Sequence, residues 1–141
     1  MIFTRVNMVG FSHQIQVRHL VVEKKEVADL LKGTISEVKS AAGRVQMLMR
    51  LAEKYSLCSS KEDGGNLGWI ELSSDDPRIR GYEPVLKNAE LEQIIREGVK
   101  DMTLNRGEVF GPVQTQEGFH LMMITNDFGS DRATAFTGSS L

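Results

Sequence analysis

Three side chains in this sequence stand out for the chemistry they could do. Cys58 is the only cysteine, and it lies in a polar loop, Tyr55-Ser-Leu-Cys-Ser-Ser-Lys-Glu-Asp-Gly-Gly-Asn-Leu-Gly-Trp69. His19 lies in the apolar run Val17-Arg-His-Leu-Val-Val22, and His120 in Phe119-His-Leu-Met-Met-Ile124. A thiol becomes a good nucleophile when its pKa falls, and a nearby imidazole can lower it. A cysteine hydrolase would also need an orienting Asp or Asn and an oxyanion hole, and no motif marks either. Zinc would need a fourth ligand. His13, Asp63 or Glu117 could be proposed, but no CxxC or HxxxH spacing supports them. Gly64-Gly65-Asn66-Leu67-Gly68 lacks the Lys-Ser/Thr of a phosphate loop and precedes a strand rather than a helix. The plain alternative is an inert, partly buried thiol with two packed histidines. Taken alone, the residue types leave these readings open.

The three groups meet only if the elements carrying them meet. Ile15 to Val22 is rich in β-formers, with Ile15, Val17, His19 and Val21 on one face. Leu20 and Val22 make the other face apolar as well, so this is expected to be a central strand covered on both sides. Val27, Leu30, Leu31, Ile35 and Val38 follow a helical period, with Gly43 expected to end that helix or its turn. Arg44 to Lys54 is a second helix, packing through Val45, Leu48, Met49 and Ala52. It feeds the Cys58 loop, and Trp69, Ile70 and Leu72 begin a short strand. Ser73 to Asn88, with two prolines and an Asp pair, reads as a surface excursion. Leu91, Ile94, Ile95 and Met102 place a third helix over Glu90 to Thr103. Val109 to Val113 is a broken strand, Glu117-Gly118 a tight turn, and Phe119 to Ile124 the last strong strand. This order predicts an α+β domain with a small, largely antiparallel sheet.

A chain of 141 residues is one domain of ordinary size. Its 40% hydrophobic and 26% charged residues suit a soluble globular protein. A net charge of −2, with Lys24-Lys25 the only adjacent basic pair, argues against a nucleic-acid partner. No apolar run approaches the ~20 residues of a membrane span, so no membrane partner is expected. One cysteine rules out an internal disulfide. The first ten residues lack a cationic start, a sustained apolar run and a cleavage site, so no signal peptide is read.

The blocks around the three groups resemble the parvulin-type peptidyl-prolyl cis-trans isomerases. Val17 to Val22 is similar to the family's first strand, hydrophobic-x-His-Ile/Leu-Leu-Val. Leu51 to Trp69 is similar to LAxxYSxCxSxxxGGxLGW/F, and Gly107 to Leu121 to GEVxxPVxTxxGxHI/L. The resemblance implies a parvulin-like α+β fold of four mostly antiparallel strands with three to four helices. The domain would span residues 14–126, after a leader or edge strand at 1–13 and before a flexible tail at 127–141. It implies isomerisation of X-Pro bonds in proteins, without cofactor or metal, on proline-containing peptides and proteins, by a monomer. The alternative is a peptide-binding or chaperone module on the same fold. Carried over, His19 and His120 match the paired sheet histidines and Cys58 the Cys/Asp position beside the prolyl amide. Thr115 matches the threonine bonded to the histidine pair. Phe119 falls at a large apolar position flanking His120, with Gln116 beside Thr115 in the substrate-binding set. Between Trp69 and Gly107 the family's Gln-Met-x-x-x-Phe segment is best matched by Tyr82 and Leu86, with Leu91 as an alternative and Met102 at the limit of the pocket wall. Glu117 stands where phosphate-directed relatives carry serine, and no arginine pair follows the first strand. Both argue against a phospho-Ser/Thr-Pro requirement. The expected compartment is the cytoplasm, or an organelle such as a plastid, since the Cys58 block is especially like plastid and bacterial parvulin domains.

Overall fold

A computed structural model describes residues 13–72, 86 and 88–129 of the chain. Residues 1–12 of the expected leader, most of the Ser73–Asn88 excursion including Tyr82, and residues 130–141 of the expected tail lie outside the described residues. The elements run β1 (Gln14–Val22), α1 (Lys25–Ser36), α2 (Ala41–Tyr55), a 3-10 turn (Ser59–Asp63), β2 (Asn66–Glu71), α3 (Ala89–Lys100), β3 (Phe110–Thr115) and β4 (Gly118–Phe128). The last strand therefore continues past residue 126. Its Asp127 lies opposite Ile15 and holds His13 Nε2 at 3.0 Å.

The four strands form one antiparallel sheet in the order β2-β1-β4-β3. Successive residues of a strand point to opposite faces, so an apolar strand in the middle divides the core in two. Ile15, Val17, Met122 and Ile124 pack under α3 with Leu91, Ile95, Leu104 and Leu86. Leu20, Val22, Leu121 and Met123 pack under α1 and α2 with Ala28, Leu31, Ile35, Leu48 and Ala52. β1 is thus central and covered on both sides, as its composition predicts.

Capping explains where two of the helices begin. Ser40 Oγ accepts the Gly43 N–H at 3.0 Å at the start of α2, and Asn88 Oδ1 accepts the Leu91 N–H at 2.9 Å at the start of α3. Gly43 therefore opens a helix instead of ending one. A Cβ at Gly43 would lie 2.6 Å from Val38 Cγ1 and 2.8 Å from Ser40 Oγ, so its missing side chain lets the preceding turn close on the cap.

β2 pairs with β1 only as far as Arg18, and the cysteine loop takes over the rest of that edge. Gly65 O accepts the His19 N–H at 2.9 Å, and Val21 O accepts the Leu57 N–H at 2.8 Å. Buried Ser56 turns its Oγ to the Val21 N–H at 3.1 Å. Gly65 has φ +81, and a Cβ there would lie 2.1 Å from the His19 carbonyl oxygen. The double glycine is what lets the loop approach β1 so closely.

Candidate functional site

The site is built from two strands that adjoin in the sheet while lying far apart in sequence. In the β1–β4 register Val21 faces His120 and His19 faces Met122, so the two histidines are diagonal neighbours on the α3 face. Their ring centroids lie 5.2 Å apart with planes 22° from parallel, and Nδ1 meets Nδ1 at 3.1 Å. His19 is 1% exposed and His120 0%. Burial penalises the imidazolium, and it is the main cause of a His19 pKa lowered to about 3, with His120 adding to the effect. Burial also lowers His120, against the opposing pull of Glu117 and Glu90. Both rings are therefore uncharged at neutral pH, and one proton is shared along the Nδ1–Nδ1 contact.

Thr115, at the end of β3, extends the chain: its Oγ1 lies 2.6 Å from His120 Nε2. The same oxygen accepts the Glu117 N–H at 3.1 Å. Thr115, His120 and His19 thus form a continuous hydrogen-bonded row. Its far end, His19 Nε2, is buried and has no partner among the described residues. Leaving such a group unpaired costs about 1–3 kcal/mol, and an orphan of this kind calls for an explanation.

Cys58 is half-buried, and its Sγ accepts the Ser60 N–H at 3.5 Å, capping the 3-10 turn. Its loop is laid against β1 at His19 and Val21, but no hydrogen bond joins the thiol to either histidine. A zinc site at these residues fares poorly on geometry. His120 spends both nitrogens on His19 and Thr115, and His19 spends one. Among the described residues no three His, Cys, Asp or Glu side chains are grouped to hold a metal.

The remaining site candidates divide. Leu86 and Leu91 are buried in the cluster on the histidine face, and Leu86 is held there by its N–H on Glu92 Oε1 at 2.7 Å. Gln116 is exposed in the two-residue turn beside Thr115. Tyr82 lies outside the described residues. Phe119 packs against the α1–α2 cluster, because alternate residues of β4 face opposite ways and His120 takes the other side. Met102 is 55% exposed beyond the far end of α3 from Asn88. At 1.5 Å per residue a helix of that length places it ~18 Å from the end that meets Thr115. Neither Phe119 nor Met102 lines the histidine face.

Sequence reasoning missed Val113 and Asn88. Val113 lies directly across from His120 in β3 and is partly buried on the same face. Strand alternation from Thr115 could have found it. Asn88 caps α3 and reaches Thr115 and Glu117. Its signal was an Asn preceding a helical run.

The family model described as the PPIC-type PPIASE domain, a rotamase, matches residues 19–126. The Rhodanese-like/PpiC domain-containing protein 12, chloroplastic, of Arabidopsis thaliana is 29% identical over 116 residues, covering 82% of this chain and 31% of that protein. The foldase protein PrsA of Bacillus subtilis is 27% identical over 120 residues, covering 85% of this chain and 33% of that protein. The chain thus spans about a third of the curated relatives it matches. The crystal structure of PrsA from Bacillus subtilis superposes with a TM-score of 0.56 at 23% identity, over 90% of this chain and 40% of that one. The solution structure of NmPin, the parvulin of Nitrosopumilus maritimus, gives 0.53 at 20% identity, over 82% and 98%.

Proposed function

The chain belongs to the PPIC-type, or parvulin, peptidyl-prolyl isomerase family, and from that membership we propose that it catalyses cis-trans isomerisation of X-Pro bonds in polypeptides. The observation that carries the reading is the pair of buried, uncharged histidines joined at 3.1 Å and anchored on Thr115. Rotation about an X-Pro bond breaks no covalent bond. It is slow because amide resonance imposes a barrier of ~18–20 kcal/mol. A catalyst has to hold the proline ring and favour the twisted amide over the planar one. Lowering the barrier by ~5–6 kcal/mol gives about four decades in rate. In this proposal the histidine row is a rigid, neutral floor, and Leu86, Leu91 and Val113 are the apolar side. Cys58 is a polarisable wall near the carbonyl, acting electrostatically and without covalent attack. The partners are proline-containing peptides and proteins, met by a monomer. The compartment is the cytoplasm or a plastid, the Arabidopsis relative being named as chloroplastic.

The burial of both rings favours a second reading, a peptide-binding or chaperone module on the same fold with weak or no isomerase activity. A protease-coupled assay on X-Pro peptides separates them. The isomerase reading expects wild type to exceed the spontaneous rate clearly and His120→Ala to fall at least tenfold. If neither protein exceeds the spontaneous rate, the enzyme reading fails and peptide affinity becomes the quantity to measure.

A further inference from the structure

We propose that Asn88 is a positioning residue of the histidine pair, fixing the direction in which the Thr115–His120–His19 row is polarised so that the row ends in an N–H at His19 Nε2. The row as such could run either way. With protons ordered from Thr115 toward His19, its end is a donor. With the opposite order, its end is a lone pair.

Asn88 decides between them. Its Oδ1 is committed to the Leu91 N–H at 2.9 Å, the cap of α3. That fixes the amide's orientation and turns Nδ2 toward the β3–β4 turn, where it lies 3.0 Å from Glu117 Oε1 and 3.5 Å from Thr115 Oγ1. Thr115 Oγ1 therefore has three nitrogens around it: Asn88 Nδ2, the Glu117 backbone N at 3.1 Å and His120 Nε2 at 2.6 Å. The first two can only donate. A hydroxyl has two lone pairs and one hydrogen. With both lone pairs occupied, the hydrogen has one acceptor left, His120 Nε2. A neutral His120 then carries its proton on Nδ1 and donates it to His19 Nδ1. A neutral His19 carries its own proton on Nε2, the buried nitrogen without a partner.

Glu117 opposes this order. Its Oε1 lies 3.7 Å from His120 Nε2, where a carboxylate attracts a proton. The second hydrogen of the Asn88 amide occupies that oxygen. Without Asn88, the Thr115 hydroxyl has a free lone pair for a His120 Nε2–H and can turn its own hydrogen to the Glu117 carboxylate. Each imidazole then shifts its proton to the other nitrogen, no charge is created, and His19 Nε2 becomes a lone pair. A buried donor suits the electron-rich atoms of a twisted prolyl amide, and a lone pair repels them. This catalytic consequence rests on the isomerase reading, whereas the proton positions do not.

The test uses the full chain labelled with 15N-histidine, in wild type, Asn88→Ser and Asn88→Asp. Both substitutions keep an oxygen to cap α3 and remove the amide donor, and Asn88→Ser adds no charge. The wild type should show protonated His19 Nε2 and His120 Nδ1, with His19 Nδ1 and His120 Nε2 unprotonated. In each folded variant the pattern should reverse or average between the two forms, and kcat/KM should fall at least tenfold while the urea midpoint is retained. The reverse pattern in the wild type, or an unchanged pattern in both variants, overturns the proposal. If the wild type proves inactive, the isomerase reading falls while the nitrogen spectra still decide the role of Asn88.

Discussion

Acidification should unlock the histidine pair. His19 has an ordinary pKa of 6.5 in the unfolded chain and about 3 in the folded one. Above pH 6.5 neither state binds the proton, and the group contributes no pH dependence. As pH falls below 6.5 the unfolded chain takes up a proton that the folded chain refuses, so stability falls until the pH reaches the folded value near 3. At pH 5 the gap is about 1.5 units, or about 2 kcal/mol at 1.36 kcal/mol per unit. His120, lowered chiefly by burial, adds loss in the same direction. Urea unfolding at pH 7.5 and pH 5.0 measures the difference, with His19→Gln/His120→Gln as the reference. Wild type should lose at least about 2 kcal/mol more than the variant between the two conditions. Equal losses, or a His19 ring that titrates near 6.5 while the protein remains folded, would refute the reasoning. The same neutrality predicts a flat isomerase rate from pH 6.5 to 8 when Cys58 is replaced by Ser.

Three further outcomes test the surroundings of the pair. Gly65→Ala forces a Cβ to within 2.1 Å of the His19 carbonyl at φ +81, so it should cost about 2 kcal/mol or more in urea unfolding and displace His19. Cys58 caps the 3-10 turn, and Asp is a good cap residue. Cys58→Asp and Cys58→Ser should each keep kcat/KM within about tenfold; a hundredfold loss for Asp with Ser still active would argue for a role only sulfur or a hydroxyl can fill. Met102 holds φ 64, a left-handed conformation that costs a side-chain-bearing residue about 1 kcal/mol. Met102→Gly should therefore raise stability by about that amount in the same measurement, with kcat/KM unchanged.

How much of this was legible in the sequence depended on the range of the interaction. The near-continuous apolar character of Val17–Val22 is enough to predict a strand covered on both faces, and Phe119–Ile124 reads as a second strong strand. Strand alternation should have excluded Phe119 from the histidine face, since placing His120 toward α3 turns Phe119 toward α1 and α2. Periodicity placed α3, but Met102 fits its apolar period only until the helix ends at Lys100, where the chain turns through a left-handed residue. Gly43 was misjudged because glycine is common after helices, whereas here it is the packing of Val38 and the Ser40 cap that excludes a side chain. The pairing of His19 with His120 spans a separation of 101 residues. No local pattern encodes a β1–β4 register, and only the family resemblance joined those two blocks in advance. The row's direction was further out of reach. It depends on which atoms of Asn88, Glu117 and Thr115 can donate once α3 and the β3–β4 turn have brought them together. The proposed role of Asn88 has the same origin, because satisfying the first turn of α3 orients the amide whose nitrogen faces Thr115.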